Sequence, residues 1–212
     1  MPRQRRPEVT RQVLIDAAFG EIHRKGFQAA SVDEILERTG VTKGALYHHF
    51  PSKLDLGYAV VEDRLSKALL QYWLLPLQAE PDPIAALLKT IKTAVAGLTD
   101  ESVCLGCPIA NLAQEMSPVD EGFRERIDRL YRVWQDGVAG LIERGKEIGK
   151  VRRDVDARSA AIFIVASIAG TRVIAKSAKD KEVVRQCMEN LCAYIEGLRP
   201  AKRRNQARRS RV

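Results

Sequence analysis

Strand-like alternation of apolar and polar residues is almost absent from this sequence, so a sheet-based nucleotide-binding fold or a β-barrel has little to build from. Long apolar runs are missing as well. The longest, residues 160–169, is about half of the roughly 20 residues a helix needs to cross a bilayer, and no membrane span is expected. The opening residues, MPRQRRPEVT, lead into an amphipathic segment rather than an apolar leader, which points to a cytoplasmic protein. Cysteine is scarce, at four residues, and in a cytosolic chain these argue against structural disulfides. Cys104 and Cys107 are closely spaced, but a zinc site needs about four ligands and no second Cys or His pair of that kind follows. No glycine-rich phosphate loop or hydrolase motif is present. These absences weigh against an enzyme, a metal site or a cofactor.

What is present is an ordinary globular composition, 45% hydrophobic and 29% charged over 212 residues, with an excess of basic charge at the ends. The net charge is +8. Arg3, Arg5 and Arg6 stand at the front. From Arg199 onward come Lys202, Arg203, Arg204, Arg208, Arg209 and Arg211 with no acid among them. The body between carries 25 basic and 27 acidic residues. A near-neutral body with basic arms suits a polyanionic partner, because each phosphate neutralised by Lys or Arg releases a counterion; it also suits simple solubility.

Apolar residues recur at three- and four-residue spacing throughout, as in Leu14, Ala18 and Ile22, and this predicts an all-α protein. A first helix is expected from about Thr10 to Lys25, stopped by Gly26. Ser31 and Glu34 have the spacing of a capping box opening a short helix that ends at Thr39 and Gly40. Thr42 is positioned to cap a second short helix, Lys43 to His49, and Ser52 a long one from Lys53 to about Leu75, before Pro76. Further helices are expected from Pro83 to Gly97, Pro108 to Glu115, Val119 to Gly145, after an Asp156 cap, and from Lys181 to Leu198, with a loop around Thr99 to Gly106. The implied division is 1–53 for a helix-turn-helix with its basic arm, 54–198 for a helical effector-binding and dimerisation domain, and 199–212 for a basic tail.

Two short helices joined by a glycine-containing turn, the second basic at its start and aromatic at its end, are what major-groove reading requires. Ile35, Leu36, Val41 and Leu46 supply the apolar contacts between them, leaving Lys43, Gly44 and Ala45 to face outward where base edges would lie. The run from Ser31 to Ile35, followed by TGVTKGALYHHFPSK from Thr39 to Lys53, resembles the DNA-binding segment of the TetR family of repressors. That resemblance covers roughly Thr10 to Tyr58. It implies base-approaching roles for Lys43, Gly44 and Ala45, and phosphate-gripping roles for Ser31, Thr42, Tyr47, His48, His49 and Lys53. Tyr47 and Phe50 could instead be core aromatics. The adjacent His48 and His49 point in different directions on a helix, which disfavours a metal site.

The resemblance also implies a homodimer on double-stranded, palindromic operator DNA and release by a small-molecule effector. Two such heads read half-sites about one helical turn apart, or a multiple of it. The C-terminal helices are the expected interface, through the small residues Ala160, Ala161, Ala166, Ala169 and Gly170 and the stripe Val184, Met188, Leu191 and Ile195; the alternative is that they close the monomer core. The segment GCPIANLAQEMS, residues 106–117, is similar to one in a TetR-like sub-group that senses reactive electrophiles and small unsaturated acids. Cys107, just before Pro108, could sit at a helix N-terminus that lowers its pKa and makes it reactive, or it could simply pack. Cys104, Cys107, Asn111, Tyr131, Trp134 and Arg172 are the candidate sensor residues, with Gln114 and Glu115 nearby. Two alternatives remain open. A thiol redox protein would need a βαβ context that is missing, and a nonspecific basic DNA binder would depend on the arms alone.

Overall fold

The computed structural model describes residues 7–201; the basic residues of segments 1–6 and 202–212 lie outside the described residues. Ten helical elements and no strand occur among the described residues. The first three are α1 (Pro7–Lys25), α2 (Val32–Thr39) and α3 (Lys43–His49). Then comes α4, a continuous helical rod over 53–78 built of α-helical, π-helical and 3₁₀ pieces in succession. The rest are α5 (Pro83–Ala96), α6 (Asp100–Leu105), α7 (Pro108–Met116), α8 (Glu121–Glu147), α9 (Ala157–Ala178) and α10 (Lys181–Glu196).

Capping accounts for most helix starts. The side chains of Thr42, Ser52, Asp82, Asp120, Asp156 and Asp180 each accept a first-turn amide, as side-chain oxygens at helix starts commonly do. Two expectations fail here. Ser31 makes no capping bond, and Glu34 pairs with Lys25, 2.7 Å away, instead of reaching back. The segment after Thr99 is not a loop: Thr99 and Ser102 close a capping box in which Ser replaces the usual Glu or Gln, and this opens α6. The rod α4 also runs past Pro76, which sits at the start of its final 3₁₀ turn, where its missing N–H costs nothing.

The core is continuous from end to end. In the N-terminal part, Leu14, Ile15, Ile35, Leu46 and Phe50 are buried between α1, α2 and α3. Next to them α4 packs on α1, held by Arg11 on Asp63 at 2.6 Å and Arg64 over the Phe19 ring. The seam with the C-terminal helices is aromatic: Phe27 and Tyr58 both pack edge-on to the fully buried Phe123 of α8, at ring distances of 4.7 and 5.1 Å. Gly57 is required there, since a Cβ would stand 2.5 Å from the Phe27 ring and 2.7 Å from Phe123.

The helix α9 is long and apolar enough to cross a membrane by length and composition, yet it lies between α8 and α10 in the bundle. The stripe Val184, Met188, Leu191 and Ile195 is buried inside the chain, as are Ala160 and Ala161. It closes the monomer core and does not face a partner. The exposed apolar side of this helix pair is Ile162, Phe163, Ile174 and Tyr194, with Ala166 and Gly170 between them. Arg199, read from sequence as the start of a free tail, is bound to the fold through Asp82 and Glu196.

Candidate functional site

The amphipathicity of α3 separates two roles within seven residues. Leu46 is fully buried and Phe50, just beyond the helix, nearly so, which clamps α3 against α1 and α2. Gly40, at φ +61°, ends α2 in the left-handed conformation a non-glycine residue disfavours and swings the chain into the turn. With those anchors set, Thr42, Lys43, Gly44, Tyr47 and His48 are exposed and Ala45 and His49 half-buried. A Cβ on Gly44 would touch nothing within 4 Å, so this edge of the helix is open to close approach. Lys43 is held only at 3.4 Å by Asp33, with both side chains well exposed. Such a pair is weak and easily exchanged.

Tyr47 is a surface residue, not a core aromatic, at 41% exposure. Phe50 is core. His48 and His49 stand edge to face, 5.5 Å apart. The Ser31 hydroxyl, free of any capping bond, sits half-exposed at the start of α2. Lys53 is engaged within the protein: its ammonium donates to the Gln28 carbonyl at 3.0 Å and lies over the Phe27 ring, and burial lowers its pKa. Of the predicted DNA-facing residues, Thr42, Lys43, Gly44, Tyr47 and His48 are thus exposed on α3 or at its start, while Lys53 is held by the protein itself.

The predicted sensor residues do not converge in the same way. A cavity of about 720 Å³ opens between α4, α5, α9 and α10. Its walls are mainly apolar, with Trp73, Ile91, Val95, Ile168 and Met188 among them, and Arg172 is the only predicted sensor residue that lines it. Trp134 is buried behind that wall, its ring 4.8 Å from Trp73. Asn111 instead donates to the Leu105 carbonyl at 2.8 Å and pins the turn between α6 and α7. Cys104 is exposed. Tyr131 is partly buried, and burial together with the nearby Cys107 raises its pKa.

Cys107 does precede α7 as its N-cap, but the expected drop in pKa does not occur. Burial pushes the thiol up, outweighing the Ala110 and Ile109 amides and the Arg172 charge that act in the opposite sense. Desolvation of a thiolate is the larger effect here.

Sequence reasoning missed the joint between the two halves. Glu115, at the end of α7, accepts the backbone amides of Phe27 and Gln28 at 2.8 Å each, in the turn between α1 and α2. His23 of α1 contacts the Gly106 carbonyl through Nε2 at 3.2 Å, and burial lowers its pKa, favouring the neutral ring whose Nε2–H can donate there. Gly106, at φ +75°, also receives Arg172 at 3.1 Å. Only the proximity of α1 and α7 in three dimensions reveals these contacts, since the partners lie more than 60 residues apart.

A helix-turn-helix presented on the surface, joined to a helical body with an internal cavity, defines a DNA-binding regulator of the ligand-responsive kind. Residues 14–60 match the family described as bacterial regulatory proteins, tetR family, and residues 83–191 match the tetracyclin repressor-like C-terminal domain. The chain belongs to the TetR family of transcriptional regulators. It is 31% identical over 163 residues to the transcriptional regulator AcuR of Cereibacter sphaeroides, covering 73% of this chain and 74% of AcuR. The HTH-type transcriptional repressor DhaR of Mycobacterium sp. (strain GP1) is 26% identical over 90% of this chain and 93% of its own. The regulatory protein TetR from Rhodobacter sphaeroides superposes with a TM-score of 0.79 at 25% identity, covering 88% of this chain and 98% of that one. Family members bind operator DNA as dimers and respond to small molecules.

Proposed function

We propose that this protein is a cytoplasmic repressor that holds a palindromic operator as a homodimer, with α3 of each copy in the major groove. In this reading Lys43 reaches a base edge, Gly44 and Ala45 allow close approach, and Ser31, Thr42, Tyr47, His48, His49 and Lys53 serve the phosphates. The carrying observation is the division within α3, where Leu46 is buried and Lys43, Tyr47 and His48 face outward. Hydroxyl, imidazole and ammonium donors on one surface match phosphate oxygens. The copies meet through the exposed face of α9 and α10, where Phe163 and Tyr194 already stack edge to face at 4.7 Å.

The effector occupies the cavity without bonding to a thiol, because neither Cys104 nor Cys107 lines it. Selection of a duplex from random sequence, followed by gel shift with excess nonspecific competitor, tests the DNA reading. Lys43→Ala and Tyr47→Ala are each expected to weaken the selected complex by about 10- to 100-fold. Unchanged binding by both variants would refute the placement of α3. Loss only on truncation after Arg199 would assign binding to the basic tail.

A further inference from the structure

The cavity wall carries one cation that the fold leaves partly unused. Arg172 donates through Nη2 to the carbonyls of Ser102 at 2.5 Å and Gly106 at 3.1 Å. Its Nη1 is shut off from solvent and has no hydrogen-bond partner. Among the described residues no carboxylate pairs with it, and the titratable groups coupled to it are the Cys107 thiol and the neighbouring His23 ring. Lys89, the other cation in the lining, is already paired with Glu80 at 2.6 Å and its side chain is two-thirds exposed. A dehydrated guanidinium N–H facing no acceptor is costly, and a carboxylate or sulfonate satisfies it best, since the planar fork offers two parallel N–H groups.

The remaining walls specify the rest of the occupant. Trp73, Ile91, Val95, Ile168 and Met188 offer apolar surface, and about 720 Å³ lies within the 300–1,000 Å³ range that drug-sized molecules fill. A small inorganic anion would leave most of that surface uncovered. We infer that the cavity takes an organic anion, an apolar body of drug-like size with one carboxylate or sulfonate head seated on Arg172, and that the head competes with the Ser102 and Gly106 carbonyls for the guanidinium. This rests on the reading of the cavity as the effector site.

The competition explains how occupancy reaches the DNA-binding end. The Gly106 carbonyl is held from two directions, by Arg172 on α9 and by His23 on α1. A bidentate head draws Nη2 from that carbonyl, which frees the α6–α7 turn at a glycine of positive φ. The movement passes to α7, whose Glu115 grips the turn that feeds α2. A ligand shifts such an equilibrium only by its preference for one state, and here the preference arises because the anion and the carbonyls cannot share one N–H.

Anilinonaphthalene sulfonate and its uncharged parent phenylnaphthylamine test the head group, because they share one fluorescent aromatic body and differ by the sulfonate. Titrated into the full-length protein, the sulfonate should bind more tightly than the parent. That ratio should fall about 10- to 100-fold in Arg172→Met and only partly in Arg172→Lys. A ratio that does not favour the sulfonate in the wild type, or is equal in wild type and either variant, overturns the inference. Ile168→Trp, which fills the cavity, should abolish both probes; sulfonate binding that survives it marks a surface site and also overturns it. On the selected duplex the sulfonate should release wild-type protein but not His23→Ala at equal occupancy, and equal release would overturn the Gly106 route. Sulfonate binding by a protein that selects no duplex would instead refute the operator reading while leaving the ligand class standing.

Discussion

The reading head and the cavity solve opposite problems with the same kind of helix. In α3 the buried side is small and the working side is wet, so Lys43, Tyr47 and His48 stay available to a partner that is itself highly charged. In the cavity the working side is the inside, built from helices far apart in the chain, and the Nη1 of its Arg172 is closed to solvent without a hydrogen-bond partner. The contrast teaches that recognition on the outside is carried by a short continuous segment, whereas recognition on the inside belongs to an assembly. The joint between them is small: Glu115, His23, Gly106 and the Phe27, Tyr58 and Phe123 cluster.

The strongest challenge to that contrast is Phe123→Ala, which empties the seam between head and body. It should cost about 3–5 kcal/mol of unfolding free energy, read by denaturant titration, with both halves unfolding in one transition. A separate early transition for the head would show that the core is not shared. Next in size, Phe163→Arg places a charge in the centre of the exposed α9–α10 face. The dimer should weaken by at least about 100-fold in sedimentation, and operator affinity should fall with it; an intact dimer would move the interface elsewhere.

Smaller effects sharpen the joint itself. Glu115→Gln keeps the shape but loses the charge that strengthens two amide bonds, and should cost about 1–2 kcal/mol while blunting effector-driven release more than it alters operator affinity. Binding curves with and without effector separate these. The smallest expected effect is a pH dependence from the head alone. Glu21 is buried beneath Lys25, Arg24 and Arg38, and the hydrogen bonds from Lys25 and Arg24 hold its carboxyl down at about 2. A depressed carboxyl stabilises the fold above its ordinary value of 4.5 and loses that contribution as pH falls from there toward about 2. Glu21→Gln should flatten that acid limb in thermal melts; an unchanged limb would assign it to other carboxylates.

The all-helical fold, most of its caps and the division of α3 into a buried and an exposed side were legible because their determinants are local. Thr42, Ser52 and Asp156 act within three residues, and Leu46 and Phe50 bury one side of α3 by spacing alone. The failures have local causes as well. The Glu34 carboxylate expected in the Ser31 box pairs with Lys25, and α6 was hidden because its capping box uses Ser102 where the sequence signature asks for Glu or Gln. The stripe stayed open between dimer interface and monomer core because helical periodicity locates an apolar face without saying which neighbour covers it, and α10 turns Val184, Met188, Leu191 and Ile195 inward.

By itself the chain determined its helices, their punctuation and the outward donors of α3, since each depends on residues within one or two turns of one another. Tertiary packing alone decided which sensor candidates share a space: Arg172 reached the cavity, while Trp134, Asn111, Tyr131, Cys104 and Cys107 went to the core, to a turn or to the surface. The reason is that desolvation and orphaned hydrogen-bond capacity are properties of an enclosure, and an enclosure exists only once distant helices have met.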